Sequence, residues 1–391
     1  MDDFEQQVVF TVGYVISAFI VFLSLGERLS KFSERIKFKP LSLLLLGLVG
    51  MCFLTLAINT PHKLVGPGYY FYKYAKLIFP VAGFFVMINI WTARDLPKLF
   101  SLLTAMACLT LPFLILQAFD YGSDSSQTSR FYSFFDDPNK YALFLNVVYG
   151  MTFPKLIGKA MRKQPFFLLF LVNIAVIILM FSTLSRSGIF TCFLITGISL
   201  WASRSWNIAK AAMLFLIPAF ALFVLAFLIR YQTNSFNTAL SDKGRVWTYL
   251  VGLNIISQRP FAGIGFANIV TVYEQYGSKY LFLLGRPLGI HNTALEIFAE
   301  EGVFGFIFYL LAVFVPIGML AKKIYRTWGK YYPVAELAAM NIPIAFFCYG
   351  LFYVNYLADD YFWTYLAFTF IVLRAEIPKE FELNLIRPKL I

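Results

Sequence analysis

Charge is scarce in this sequence: Asp, Glu, Lys and Arg make up 14% of 391 residues, against about 25% in ordinary soluble domains. Together with 59% hydrophobic residues and a mean hydropathy of +0.70, that shortage excludes a soluble enzyme, a secreted module and a disordered chain. Cysteine is nearly absent as well. Cys52, Cys108, Cys192 and Cys348 each lie inside an apolar run without CxxC spacing, so neither a disulfide framework nor a zinc site is indicated. The ten-residue alternation of a membrane β-barrel is missing too. What the chain has instead is a series of unbroken apolar runs near the ~20 residues that a spanning helix needs. Asp2, Asp3 and Glu5 make the N-terminus acidic, which argues against a cleavable signal and for insertion by the spans themselves.

Apolar runs between charged or Pro/Gly-rich breaks predict helices at 8–25, 41–59, 69–91, 99–119, 141–157, 165–182, 188–202, 208–230, 303–320, 338–355 and 361–373. Alternating the loops puts 21 of the 33 Lys/Arg and 7 of the 21 Asp/Glu on one side, for a net +14, and leaves −2 on the other. The positive-inside rule makes the first side cytoplasmic. Topology thus accounts for the overall +12, and no nucleic acid partner is needed. Eleven spans place the N-terminus outside and the C-terminus inside. Two extracytoplasmic connections are long, 120–140 and 231–302. With no internal repeat or low-complexity linker, the chain reads as one all-α polytopic membrane domain, 1–391, with 231–302 as an inserted outer loop.

Four segments offer chemistry. Arg186 is the only charge in the turn Ser182-Thr183-Leu184-Ser185-Arg186-Ser187-Gly188; a guanidinium beside hydroxyls and turn amides suits a phosphate, whereas a snorkelling anchor is the structural alternative. The outer loop carries Ser241-Asp242-Lys243-Gly244-Arg245-Val246-Trp247 and, after a helical pattern, Arg259-Pro260-Phe261-Ala262-Gly263-Ile264-Gly265. Ser241 or Asp242 is expected to cap that helix, and Pro260 to end it. Arg245 and Arg259 stand roughly 21 Å apart on a helix, so at most one of them joins Arg186 at a common site. His291, one of two histidines, precedes a helix in His291-Asn292-Thr293-Ala294-Leu295-Glu296. Thr293 with Glu296 fits a capping box, and the positive end of the helix dipole disfavours protonation of His291, leaving it available as a base. His62 has no arguable partner. In the loop containing Arg130, the Asp136-Asp137-Pro138-Asn139 run lacks the spacing of a metal site and reads as a turn that starts the next helix.

In this order, the Ser185-Arg186 turn, Gly244-Arg245-Val246-Trp247, Arg259 to Gly265 and His291 to Gly302 resemble the O-antigen ligase and polymerase family of bacterial polysaccharide membrane proteins. The Asp137-Pro138-Asn139 turn is also similar. Eleven spans are read where that family usually has twelve. The resemblance implies a polytopic, glycosyltransferase-C-like enzyme of the bacterial inner membrane with a periplasmic site and no nucleotide, metal or cofactor. Its donor would be a glycan on undecaprenyl diphosphate. The acceptor would be the lipid A core of lipopolysaccharide in a ligase, and another lipid-linked repeat in a polymerase. By matching motifs, Arg186 and Arg245 would hold the diphosphate and His291 would activate the acceptor; Arg259, Arg130 and Asn292 are secondary candidates. A transporter is a more distant reading, because ionisable residues at mid-membrane depth and broken repeat helices are not evident in the sequence.

Overall fold

A computed structural model describes residues 40–59, 67–91, 95–110, 137–205, 235–284, 287–327, 332–353, 357 and 360–374, with isolated positions at 207, 210, 221 and 224. The described residues form helices without strands: α1 Pro40–Asn59, α2 Pro67–Ile90, α3 Leu96–Leu109, α4 Pro138–Met161, α5 Phe167–Ser182, α6 Arg186–Ser203, α7 Ser235–Gln258, α8 Tyr273–Leu284, α9 Thr293–Thr327, α10 Val334–Gly350 and α11 Asp360–Arg374. Nine of them coincide with predicted spans, while α7 and α8 belong to the long outer connection. The predicted spans 8–25 and 208–230 lie outside the described residues, apart from positions 210, 221 and 224. Among the described helices, α9 alone is long and apolar enough to cross a membrane by length and composition, with 35 residues and a hydropathy of 2.5. Several others are apolar but shorter, such as Phe167–Ser182 and Val334–Gly350.

α4 is the axis of the bundle, with nearly every residue from Tyr141 to Pro154 buried. A helix buried on all sides needs no single apolar face, and this one is closely packed through small residues. A Cβ added to Gly188 of α6 would crowd Ala142 of α4, and one on Gly150 would crowd Asn341 of α10. Polar side chains buried at these seams bond across the helices. Asn146 Nδ2 donates to the Gly188 carbonyl at 2.9 Å, Tyr149 and Thr196 share a hydroxyl bond of 2.8 Å, and Asn341 Nδ2 donates to the Gly150 carbonyl at 3.0 Å. The paired positions show that α4 and α6 run parallel and that α10 runs antiparallel to both.

The same logic orients the rest. α1 is antiparallel to α9, because Cys52 Sγ donates to Glu301 Oε1 at 3.6 Å and Gly47 lies under Phe308. α2 and α11 run parallel, with Phe84 against Trp363 and Phe370 and Arg374 Nη1 on the Ile88 carbonyl at 2.6 Å. One end of the bundle therefore gathers Asn59, Asp137, Ser185, Asn292 and Leu351. The other gathers Ile90, Met161, Ser203, Thr327, Val334 and Arg374. There Lys323 pairs with buried Glu336 at 3.7 Å, and the connections at this end are ones that the charge count assigned to a single side.

On the first end sits a second apolar core in which α7 contributes Val251 and Ile255, both fully buried, against Ile264, Ile269, Tyr273 and Ile290. α7 begins at Ser235, so Ser241 and Asp242 lie inside it and do not cap it. Their interior cost is only a few tenths of a kcal/mol each, too little to stop a helix. Pro260 does follow its end at Gln258. The outer unit is fastened to α9 where Gly302 takes φ 70°, ψ −171°. Helical pairing lapses at that break, and the chain between Pro260 and Gly265 replaces it: Val303 N–H donates to the Pro260 carbonyl at 2.8 Å, while Ile264 and Gly265 donate to the Ala299 and Glu300 carbonyls at 3.1 and 2.8 Å. Gly263 N–H goes to the Arg259 carbonyl. Both glycine amides are thus engaged within this strap.

A Cβ on Gly302 would overlap the Phe261 carbonyl, in a backbone region that is essentially glycine-only. Gly302→Ala is expected to destabilise the protein by at least about 1–3 kcal/mol. Gly50→Ala, in open space on exposed α1 surface, should be neutral or stabilising by up to about 1 kcal/mol. Thermal unfolding of the purified proteins in detergent checks this ranking, and equal stability of the two variants would contradict the strap.

Candidate active site

Three helix N-termini meet at this first end of the bundle. α4 starts at Asp137, which has extended φ/ψ and accepts the Asn139 and Lys140 amides on its side chain, with Pro138 at the first helical position. α6 starts at Ser185, likewise extended, whose Oγ accepts the Gly188 amide. The two caps touch, since Ser185 Oγ donates to Asn139 Oδ1 at 2.9 Å. Aligned peptide dipoles make such a pair of termini favourable for an anion. In the turn before α6 the hydroxyls serve the backbone: Ser182 and Thr183 donate to the Ile178 and Met180 carbonyls at 2.9 and 2.7 Å. The turn's hydroxyls therefore hold its shape, and its exposed element is the side chain of Arg186, the first residue of α6.

The third terminus belongs to α9. Asn292 Oδ1 accepts the Leu295 amide at 3.0 Å and its carbonyl accepts Glu296 N–H at 2.9 Å, so Asn292 is the cap. The expected Thr293/Glu296 box is corrected accordingly. Asparagine is among the best N-caps, and Thr293 spends its hydroxyl on the Tyr353 carbonyl at 3.1 Å. Asn292 Nδ2 reaches the Leu351 carbonyl at 3.3 Å, which ties the turn to the end of α10. With the cap filled by its neighbour, the His291 side chain is not a capping group.

His291 is half-buried, and its carbonyl accepts from Tyr249 Oη at 2.9 Å. Tyr249 stands one turn after Arg245 on α7, so this bond brings the Arg245 segment over the histidine. Burial and then the Arg245 charge push the His291 pKa below its ordinary 6.5, and Asp137 pushes it back up. The downward direction agrees with the sequence expectation, but its cause is desolvation and a guanidinium, where the sequence suggested a helix dipole. The counterweight is Asp137, while Glu296, one turn into α9, is buried.

Arg259 is exposed and donates to Asn59 Oδ1 at 3.1 Å, joining the end of α7 to the end of α1. α7 is continuous between the two arginines, which keeps them roughly 21 Å apart. Arg130, Asp136 and His62 lie outside the described residues. Sequence reasoning missed Asp137 as an electrostatic neighbour of His291 and Tyr249 as its tether. The Asp-Pro pair signalled only a cap, and nothing local announces a contact across more than 150 positions.

Arg186, Arg245 and a half-buried His291 lie at one end of an apolar helical bundle, beside helix N-termini whose dipoles favour an anion. Residues 171–310 match the protein-family model described as O-Antigen ligase, and this match supports the O-antigen ligase and polymerase family. That family comprises membrane proteins of the glycosyltransferase type. The matched stretch contains Arg186, Arg245 and His291 but not Asp137. No curated protein matches the chain.

The opposed charges around His291 generate a prediction independent of any activity. In a His62→Gln background, Arg245→Gln should raise the titration midpoint of His291, because it removes a charge that lowers it. The pH dependence of acylation by diethylpyrocarbonate, which attacks neutral imidazole, reads that midpoint. A fall or no change would mean that Arg245 does not act on the ring.

Proposed function

We propose that this chain is an O-antigen ligase that transfers a polysaccharide from undecaprenyl diphosphate to the lipid A core at the periplasmic face of the bacterial inner membrane. The observation that carries the reading is the gathering of His291 and Arg245 beside the N-termini of α4, α6 and α9, inside a stretch matched by the family model. In this reading the bundle is a single multi-pass membrane domain and 231–302 is its periplasmic insertion. Both the scarcity of charge and the one-sided basic loops support that topology.

The chemistry needs little beyond these groups. A glycosyl diphosphate carries its own leaving group, so the enzyme must neutralise developing charge, orient the sugar and remove one proton. Arg186 and Arg245 supply planar, charge-assisted donors to phosphate oxygens, aided by the helix N-termini. No metal or cofactor is invoked. Neutral His291 accepts the proton of the acceptor hydroxyl. The hydroxyl oxygen then forms the new bond to the anomeric carbon as the bond to the diphosphate breaks, and the leaving group departs with that electron pair. Attack opposite the leaving group inverts the anomeric centre.

His291→Ala should lower transfer by about 10² to 10⁴ with donor affinity largely kept. Arg186→Lys and Arg245→Lys keep the charge but lose the fork and should both be severely impaired, whereas Arg259→Lys should be mild. Purified enzyme with a lipid-linked donor checks all four, and near-normal transfer by both diphosphate-site lysines would remove the fork argument. The wild-type rate should fall as pH drops through the His291 pKa, with the acid limb centred below the ordinary value of 6.5. Deleting the gene and analysing surface polysaccharide separates the two family activities: loss of all capped core indicates the ligase, and cores bearing single repeats indicate the polymerase instead.

For topology, a cysteine at 245 in a Cys108→Ser background should react with a membrane-impermeant reagent from outside, and one at 387 should not. The background is needed because Cys108 is exposed. Reaction at 245 only from the cytoplasm would overturn both the orientation and the mechanism.

A further inference from the structure

Asp137 caps α4 with one oxygen. Oδ1 takes the amides of both Asn139 and Lys140, and Oδ2 takes neither. A cap needs no more than this, and Ser or Asn would serve equally well.

The packing brings this carboxylate to the same end of the bundle as His291 and within electrostatic reach of it. α4 and α10 run antiparallel at a fixed register, with Gly150 facing Asn341 and Gly158 facing Val334. The start of α4 at Asp137 and the turn that follows α10 therefore lie at the same end of the bundle. The carbonyls of Tyr353 and Leu351 receive the side chains of Thr293 and Asn292, and His291 is the next residue. From the other side, the bond between Ser185 and Asn139 holds the start of α4 in place. The charged groups acting on the imidazole among the described residues are Asp137 from α4 and Arg245 from α7, with opposite effects. On α9 the nearest acid, Glu296, is buried, and α6 contributes Arg186 at its exposed start.

We propose that Asp137 is a positioning residue for His291, acting as the charge partner that holds the ring in its working orientation and stabilises the imidazolium formed in transfer. The proposal rests on the reading of His291 as the base. Asp137 itself exchanges no proton: the acceptor's proton ends on the imidazole, and the carboxylate stays ionised throughout. Burial and Arg245 disfavour charge on the resting ring, and Asp137 offsets that once the ring is charged.

Asp137→Asn is the discriminating variant, because asparagine keeps the cap and removes the charge. It should lower kcat by at least about tenfold with little change in KM. In the His62→Gln background it should also lower the titration midpoint of His291 in the diethylpyrocarbonate assay, the reverse of Arg245→Gln. Folding is followed by thermal unfolding, which should match the parent. Wild-type kcat with an unmoved midpoint would overturn the proposal and leave Asp137 a cap alone. A lowered midpoint in Asp137→Asn together with full transfer by His291→Gln would overturn the base reading while leaving the charge pair standing.

Discussion

The break at Gly302 and the strap that fills it hold the outer half of this protein in place. An unbroken α9 would pair its own carbonyls at Ala299 and Glu300. Because Gly302 leaves the helical region, those acceptors are open to Ile264 and Gly265, and Val303 turns to Pro260. Three backbone bonds thus fasten the end of α7 to the top of α9. Arg259 adds a side-chain bond to α1, and Asn59 of α1 also donates to the Ala262 carbonyl at 3.0 Å. With α7 anchored at its C-terminal end and packed along Val251 and Ile255, its earlier turns carry Tyr249 and Arg245 to His291.

The electrostatics of the site follow from this placement. In the proposed mechanism His291 has to rest uncharged and yet tolerate charge when it works. Burial and Arg245 favour the neutral form, and Asp137 favours the charged one. The two charges arrive from α7 and α4, elements far apart in sequence that share only this end of the bundle. The helix N-termini of α4 and α6 add fixed positive potential that requires no ordering of side chains. On the proposed reading, such a site binds an anionic leaving group and still leaves a base available for the acceptor.

Apolar packing explains why such chemistry sits at an end of the bundle and not at its middle. Polar side chains within the α4 seam, such as Asn146, Tyr149 and Asn341, each make a hydrogen bond across helices that serves association. Leaving them unpaired in an apolar surround would cost on the order of 1–3 kcal/mol each. The exposed arginine, the half-buried histidine and the capping carboxylate appear where helices start and side chains cap the backbone amides.

Much of this was legible in the sequence. Apolar run lengths located nine helices now described, because the run length of a spanning helix is set by local composition. Basic-residue bias sorted the described loops in the same way that helix packing does. Arg186, Arg245 and His291 stood out because charge and histidine are rare in such a chain, so each occurrence demands a reason. Local patterns failed where two residues competed for one role: Asn292 took the cap that Thr293 was expected to share, and the start of α7 ran past Ser241 and Asp242. Composition and periodicity could therefore determine the helices and single out the rare polar residues. Which of those residues meet was decided only by tertiary packing, since the register between α4 and α10 and the strap at Gly302 depend on side-chain fit between segments more than 30 residues apart.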